Sequence, residues 1–270
     1  RGEPRMSVAE LSTTTQPPGT SAPEGGIHTA SSPWRALWLQ LAGIAAAFAA
    51  LVVWLLTADL TATEKTTLEP GALWGYTLDH LALTGVAAVV ALAIAIPAGV
   101  LLTRGPLRKL TGPAMALANI GQAAPAIGLV VLLAFWLGFG FWAAVVALVA
   151  YSILPIMRNT MVGLQQVDRS LVEAGRGMGM SSGAVLFKVE LPLAVPVMLA
   201  GVRTALVLLV GTATLATFIN GGGLGILITT GVNLNLTTVL IAGAVLVALL
   251  ALAVDWLGRV AEQLARPKGL

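Results

Sequence analysis

Long apolar segments dominate this chain. Six of them have about the length, roughly 20 residues, that an α-helix needs to cross a hydrocarbon layer about 30 Å thick. Because backbone polar groups find no water inside a bilayer, a segment of this kind has to be helical. The sequence therefore predicts an all-α membrane protein with six transmembrane helices. The predicted spans are residues 36–58, 80–103, 113–137, 139–157, 194–219 and 236–257.

Composition excludes a water-soluble domain and several kinds of catalytic site. Of the 270 residues, 57% are hydrophobic and 10% are charged, whereas about a quarter of the residues in a soluble domain are charged. The sequence has no cysteine and two histidines, His28 and His80, so a thiolate or histidine-rich metal site is not expected. The HExxH pattern of zinc hydrolases is also missing. We therefore expect no catalytic residues and no metal site.

The two ends of the chain differ from its apolar middle. Residues 1–33 are rich in Ser, Thr, Pro and Gly and show no apolar periodicity, so burial cannot repay the entropy of ordering them. We predict a disordered tail rather than a secretory signal, because no apolar h-region follows the basic start. Residues 263–270 are expected to form a second, shorter tail.

Basic residues predict the orientation of the spans. They cluster between spans two and three, between spans four and five, and after span six. By contrast, residues 59–79 contain one lysine and four acidic residues, and residues 220–235 carry no charge. By the positive-inside rule, both termini and the loops at residues 104–109 and 167–191 are predicted to be cytoplasmic, and residues 61–75 and 221–233 external. The basic residues are Arg104, Arg108, Lys109, Arg158, Arg169, Arg176, Lys188, Arg259, Arg266 and Lys268.

A charged, glycine-punctuated segment separates the fourth and fifth spans. Residues 167–178 are predicted to form a short helix that ends at glycine, with a positive φ expected at Gly179. Ser181 or Ser182 is placed to cap a second short helix that runs toward Leu191, and Pro192 is expected to begin the next element. Such a hairpin on the membrane surface either docks a cytoplasmic partner or is an ordinary amphipathic connector.

Residues 173–192, EAGRGMGMSSGAVLFKVELP, resemble the EAA motif of permease subunits in bacterial ABC importers, EAA-x3-G-x9-I-x-L-P. Gly175 replaces the second alanine and Val189 replaces the isoleucine. The resemblance implies a MetI-like permease fold, in which the first short helix of the hairpin is a coupling helix that docks into a cleft on a separate ATPase subunit. The ATPase-coupling residues that it implies are Glu173, Ala174, Gly175, Gly179, Leu191 and Pro192.

Further segments narrow this resemblance to the permeases of osmoprotectant importers, which handle glycine betaine, choline, carnitine or proline betaine. The likeness covers residues 73–262 as a permease core and leaves residues 34–72 as an additional first helix and external loop. The segments that carry it are residues 150–160, 167–168, 176–180, 188–205 and 220–228.

The same resemblance implies the partners. It predicts two permease subunits, identical or related, two ATPase subunits and an extracytoplasmic substrate-binding protein, all at the bacterial cytoplasmic membrane. The chain lacks the GxxxxGK[ST] phosphate loop, so ATP and Mg are expected on the ATPase and no cofactor on this chain. A nucleic-acid partner is not expected.

Polar residues inside the predicted spans are candidates for the substrate pathway. Asn119 and Gln122 lie three residues apart in span three, close to Pro125, and GQAAP resembles the Q-T-x-P segment of the family. Polar side chains at membrane depth face a cavity or another helix, so the pair lines the pathway or forms interhelical hydrogen bonds. Thr212 in span five is a weaker candidate, because threonine can return its hydroxyl to its own helix.

A glycine-rich turn lies between spans five and six. The resemblance implies that it belongs to the external gate, and a plain reversal of the chain is the alternative. Glycine allows the tight backbone approach that either role needs. The gate residues are Asn220, Gly221, Gly222, Gly223 and Gly225.

Prolines and charged residues near span ends carry further expectations. Four prolines are predicted to interrupt spans. Arg203 is expected to extend toward the lipid headgroups, Asp255 and Arg259 to pair across one helical turn, and Asp79 and His80 to be ordinary interfacial residues. The four prolines are Pro97, Pro125, Pro155 and Pro196.

Three other functions remain open on sequence grounds. An ABC importer of another small solute, such as an amino acid, would share the EAA motif. A secondary transporter or channel would need its own coupling or selectivity residues, yet no intramembrane carboxylate pair is evident. An intramembrane enzyme would need a nucleophile with a base, or metal ligands, and none is evident.

Overall fold

The computed structural model describes residues 33–265, so residues 1–32 and 266–270 of the two predicted tails lie outside the described part of the chain. Within it the backbone forms eleven α-helices joined by short connections. They are α1 (Pro33–Thr57), α2 (Ala62–Thr67), α3 (Pro70–Leu102), α4 (Thr111–Ala123), α5 (Ala126–Leu137), α6 (Phe141–Gln165), α7 (Arg169–Gly177), α8 (Ser182–Val185), α9 (Leu191–Ala213), α10 (Gly225–Asn233) and α11 (Thr237–Ala265).

Five helical segments in the described part of the chain are long and apolar enough to cross a membrane, and a bent pair brings the number to as many as six. The five are α1, α3, α6, α11 and a segment built around α9 that runs from Ser182 to Ile219. The predicted all-α membrane class is therefore confirmed. Three helices run well past their predicted bounds, since α3 begins at Pro70, α6 continues to Gln165 and α11 continues to Ala265.

The predicted third span, residues 113–137, is two helices rather than one. The axes of α4 and α5 differ by 99° at the break between them. Ala124 ends α4 in an extended conformation, with φ −61° and ψ 141°, because the ring of Pro125 disfavours helical geometry in the residue before it. Pro125 therefore interrupts its span as predicted, and the change of direction is sharp.

The other three prolines do not interrupt their helices, which corrects the prediction. Pro97, Pro155 and Pro196 lie inside α3, α6 and α9, which run on without a break. A transmembrane helix tolerates the lost hydrogen bond when neighbouring helices hold both halves in place. In this chain α3, α6 and α9 pack against one another, whereas α4 has no buried residue.

Small residues bring α3, α6 and α9 close together. A Cβ atom added at Gly99 of α3 would lie 2.8 Å from the Cβ of Thr160, and one added at Gly163 of α6 would lie 3.0 Å from the carbonyl oxygen of Ala194. Such close crossings favour helix association where lipid offers no hydrophobic drive. The centre of the bundle is correspondingly lined by alanines of α3 and α6.

An ion-pair cluster joins α9 to α11 and overturns the expectation for Arg203. Instead of extending to the headgroups, Arg203 donates from Nη1 to Asp255 at 2.8 Å and from Nε to Glu262 at 2.7 Å. The predicted pair of Asp255 with Arg259 is confirmed at 2.8 Å. Gln40 of α1 also donates to Asp255, at 3.0 Å, so the same carboxylate attaches the additional first helix.

Candidate functional site

The helix α7 begins and ends with well-defined caps. The Asp168 carboxylate accepts a hydrogen bond from the Ser170 N–H at 2.9 Å, and this bond lowers the pKa of Asp168. At the other end, the N–H groups of Gly179 and Met180 donate to the carbonyls of Arg176 and Gly175 at 2.9 and 3.1 Å. This is a Schellman termination, in which glycine supplies the left-handed residue. Gly179 has the expected positive φ, +82°.

The second half of the hairpin agrees with the prediction at its start and differs at its end. Of the two predicted caps, Ser181 is the one that caps α8, accepting from the Ala184 N–H at 3.3 Å. The helix does not stop before Pro192, because α8 continues through a π-helical turn, Leu186–Glu190, directly into α9. The Ser182–Ile219 segment therefore extends from the hairpin through the bundle as one helical unit.

The two faces of α7 have different surroundings. Gly175 is buried, and a Cβ there would make ordinary contacts of 3.5 to 3.7 Å with the side chains of Met180, Val185 and Val189. The alanine of the family motif would thus fit. Glu173, Ala174 and Arg176 are exposed, as are the apolar side chains of Leu171 and Met178, at 47% and 71%. Leu191 is half-buried and Pro192 is exposed, both on α9.

A buried ion pair that sequence reasoning missed connects the hairpin to the end of α3. Glu190 is 5% exposed and accepts a hydrogen bond from Arg104 Nη1 at 3.1 Å. Burial, and then the nearby charge of Arg176, lower the pKa of Arg104. The partners are 86 residues apart in the sequence, so no local pattern could have revealed the pair.

The two predicted pathway residues of α4 lie close together without a partner of their own. Asn119 is exposed and Gln122 is half-buried. Neither side chain forms a hydrogen bond with any residue in 33–265, which disfavours the interhelical alternative within one subunit. Gly121, between them, packs α4 against α6, since a Cβ there would lie 3.2 Å from the Ala150 carbonyl oxygen.

Thr212, the weaker candidate for the substrate pathway, forms the hydrogen bond to its own helix that threonine is expected to form. Its hydroxyl donates to the Leu208 carbonyl of the same helix at 2.7 Å. Thr212 lies on α9 and Pro125 at the break between α4 and α5. The described hydrogen bonds do not link Thr212 to the two polar residues of α4.

The predicted gate turn is packed into the bundle. Asn220, Gly222 and Gly223 have φ values of 58°, 81° and 94°. Gly221 and Gly225 are buried, and a Cβ at Gly221 would lie 2.8 Å from the Cβ of Ala216. The turn follows a short 3₁₀ helix, Thr214–Ile219, and precedes α10. The 220–235 segment is therefore partly helical rather than a plain loop.

His80 is not an ordinary interfacial residue, which corrects the expectation. Its side chain is fully buried in α3 and forms hydrogen bonds with α9 and with the glycine turn. Asp79 is exposed beside it. Within residues 33–265, no group of three His, Asp or Glu side chains is arranged to hold a metal ion.

Comparison with protein families identifies the class. Residues 95–267 match the family model described as the inner membrane component of binding-protein-dependent transport systems. The chain belongs to this family. It is therefore a multi-pass inner-membrane permease, a transport component rather than an enzyme, and the family implies an ATPase and a binding protein as partners.

The permease is similar in sequence to bacterial permeases of named transport systems. A glycine betaine/carnitine/choline transport permease and a choline transport permease of Bacillus subtilis are each 42% identical over 200 residues, which is 74% of this chain and 91% of each relative. An osmoprotectant import permease of Salmonella typhimurium is 38% identical over 205 residues, 74% of this chain and 94% of that relative.

Solved structures confirm the predicted fold. The permease resembles a chain of the MetNI methionine ABC transporter in an inward-facing conformation, with a TM-score of 0.64 and 26% identity over 74% of this chain and all of that chain. An amino acid ABC transporter chain is similar in fold, with a TM-score of 0.63 and 17% identity over 77% of this chain and 99% of that one.

Proposed function

We propose that the permease imports small osmoprotectants with a quaternary ammonium group, such as glycine betaine, choline, carnitine or proline betaine. The observation that carries this proposal is the agreement among relatives at 37–42% identity over about three quarters of the chain, whose names state glycine betaine, choline or carnitine. Proteins usually bind quaternary ammonium groups in aromatic cages. Tyr76 and Tyr151 are the two tyrosines of the chain, so we assign most of the selectivity to the binding protein.

Uptake measurements test the substrate class. Cells without endogenous osmoprotectant uptake receive the permease with its ATPase and binding protein, and the accumulation of labelled glycine betaine, choline, carnitine, proline betaine and methionine is compared. We expect uptake of at least one quaternary ammonium solute that requires all three components. Uptake of methionine alone would contradict the proposal and favour an amino acid importer.

The exposed face of α7 is the proposed ATPase contact. It presents Leu171, Glu173, Ala174 and Met178 to solvent, and it supplies the apolar surface and the charge that a docking helix needs. The opposite face packs through Gly175 onto Val185 and the helix that continues into α9. Because α9 runs on from the hairpin without a break, displacement of α7 is transmitted to the bundle in alternating access.

The buried Arg104–Glu190 pair extends this proposed route to a second helix. It attaches the end of α3 to the π-helical turn of the hairpin. We assign it the role of moving α3 together with α9 when the ATPases close. The ion pair and the packing of Gly175 involve different residues, so separate substitutions can test how much each contributes to the coupling between α7 and the bundle.

Orientation and assembly are part of the same proposal. The basic loops support a cytoplasmic hairpin and cytoplasmic termini. Because the chain has no cysteine, Thr63→Cys and Arg108→Cys can be labelled without background. We expect an impermeant maleimide added outside intact cells to label the former only, and the opposite result would reverse the orientation. The absence of buried residues on α4 supports a second permease subunit covering that helix.

Asn119 and Gln122 are proposed to line the substrate pathway. Two observations support this proposal. Both residues lie on α4, and neither side chain has a hydrogen-bond partner within residues 33–265. We expect Gln122→Leu to reduce uptake while assembly and ATP hydrolysis persist, whereas Ala123→Leu, an exposed neighbour, leaves uptake unchanged. Uptake and hydrolysis are measured on reconstituted importer. Loss of assembly in Gln122→Leu would instead indicate a structural role.

A further inference from the structure

His80 uses both of its ring nitrogens in a fully buried position. The Leu224 backbone N–H donates to Nδ1 at 3.3 Å, and Nε2 lies 3.0 Å from the Val210 carbonyl oxygen. Because an N–H group can only donate and a carbonyl can only accept, Nδ1 is unprotonated and Nε2 carries the proton. One side chain of α3 is therefore hydrogen-bonded to α9 and to the residue that precedes α10.

The two backbone partners belong to different elements. Leu224 is the N-cap of α10, and a helix leaves the N–H groups of its first turn without partners of their own. Val210 lies in the last turn of α9, just before the chain continues as a 3₁₀ helix. A buried backbone group without a partner is unfavourable, because it has lost its hydrogen bond to water. His80 thus supplies a partner to the start of α10 and also contacts α9, from positions 144 and 130 residues away in the sequence.

The glycine turn is shaped to reach His80. Gly223 has φ +94°, and a Cβ atom there would lie 2.9 Å from Nδ1 of His80. At Gly222 an added Cβ would make only an ordinary contact, 3.5 Å from the Cβ of Asp79. Consecutive residues of α3 therefore lie against consecutive residues of the turn, and a side chain at Gly223 would block the approach to His80.

We propose that His80 is a positioning residue that holds the 220–225 turn against α3 and α9, so that the turn moves with these helices during transport. The inference rests on the proposed importer function and on the external-gate role that the sequence resemblance implies for this turn. When the link is broken, the turn is released from the bundle and ATP hydrolysis moves less solute. His80 acts here through the turn and does not contact the substrate itself.

Two substitutions separate the two hydrogen bonds. His80→Gln keeps an N–H donor at the position of Nε2 and loses the acceptor for Leu224. His80→Asn keeps a short acceptor near the position of Nδ1 and loses the donor for Val210. Thr84→Val is the matched control, because Thr84 is also buried in α3 but returns its hydroxyl to the His80 carbonyl of its own helix, at 2.8 Å.

Amide hydrogen exchange on the complex of permease and ATPase is the deciding measurement. We expect exchange at residues 221–226 to rise about tenfold in His80→Gln, the effect of losing about one hydrogen bond, and to stay near wild type in His80→Asn and Thr84→Val. The amount of solute moved per ATP, measured per assembled complex, should fall in His80→Gln alone. Unchanged exchange in His80→Gln, or an equal rise in Thr84→Val, would overturn the inference.

The exchange measurement needs no knowledge of the solute. A wild-type complex that takes up no osmoprotectant would therefore refute the proposed substrate class, while the exchange comparison would still decide the role of His80. If His80→Gln reduced solute uptake and ATP hydrolysis in equal proportion per assembled complex, the positioning role would also be refuted, because hydrolysis and transport would remain coupled.

Discussion

The turn that follows α7 and the turn that precedes α10 both reverse the chain at glycines with positive φ, one before α9 and the other after it. Gly179 is exposed, and a Cβ added there would meet no atom within 4 Å. Gly223, by contrast, is buried beside His80, and Gly225 lies directly against the backbone of Thr214. The first turn therefore needs glycine for its backbone conformation alone, and the second also needs the missing side chain.

This difference separates two kinds of structural requirement. A conformational requirement costs about 1 kcal/mol when a side chain is added, because the backbone is strained but the space is open. A steric requirement costs more, because neighbouring backbone has to move. The hairpin can therefore change its surface and remain folded, whereas the turn before α10 cannot change without disturbing α3 or the 3₁₀ helix that follows α9.

The largest effect is expected at Gly225. An alanine there would overlap the Thr214 carbonyl, at a cost of about 3 kcal/mol or more, the upper part of the range for overpacked cores. We expect little folded protein, judged by monodisperse elution in detergent and by the midpoint of thermal unfolding. The matched control is Gly211→Ala, at an exposed position of α9 with no atom within 4 Å. If Gly225→Ala were as stable as the wild type, the turn before α10 would not need the missing side chain, and the contrast between the two turns would be wrong.

Glu190→Gln tests whether the Arg104–Glu190 ion pair stabilises the hairpin, in contrast to the glycine contacts that stabilise the turn before α10. The substitution leaves Arg104 without its carboxylate partner, and we expect the free energy of unfolding to fall by about 1–3 kcal/mol. Thermal unfolding in detergent measures the change. The double variant Arg104→Gln/Glu190→Gln should lose less than the sum of the single variants. Additive losses would show that the pair contributes no coupling.

Gly179→Ala is expected to cost about 1 kcal/mol, because its φ of +82° is strained for a side chain. Gly179→Asp adds a charge to the proposed docking face, and we expect it to leave the permease folded but to weaken co-purification with the ATPase and abolish uptake. Gly177→Ala is the control, since Gly177 is exposed in the same hairpin with no atom within 4 Å and no positive φ. Normal ATPase association in Gly179→Asp would reduce the hairpin to a connector.

The smallest effect is expected at the start of α7. Asp168→Ala removes the N-cap and should increase fraying of the first turn of α7, whereas Asp168→Asn retains an acceptor and should be nearly neutral. Hydrogen exchange of α7 measures the fraying. Because the cap lowers the pKa of Asp168, its contribution is present above the unfolded pKa and is lost as pH falls through the folded pKa. A pH-independent difference between wild type and Asp168→Ala would contradict this assignment.

Local features of the hairpin were predictable from sequence. The stop of α7 at glycine, the positive φ at Gly179 and a serine cap before α8 all depend on residues within a few positions of one another. Pro192 lies in the first turn of α9, within one residue of the predicted start of that element. The sequence did not predict that the preceding π-helical turn carries the chain into α9 without a break.

The prolines show where local reasoning stops. Pro125 breaks its span and Pro155 does not, although each stands in an apolar segment. The difference lies in the surroundings, because α6 has buried residues along its length and its neighbours hold both halves in line. The helix α4 has none. A proline removes one hydrogen bond in either case, and packing decides whether the helix continues.

Hydropathy, capping and motif spacing are properties of short stretches of chain, so the amino-acid sequence was enough to predict the membrane class, the apolar segments and the EAA-like motif. The packing of the helices was needed to show that Glu190 pairs with Arg104, that Arg203 pairs with α11, and that His80 joins α9 to the glycine turn. These contacts join residues 52 to 144 positions apart. Buried polar groups must find partners inside the bundle, and which partners they find depends on how the helices pack.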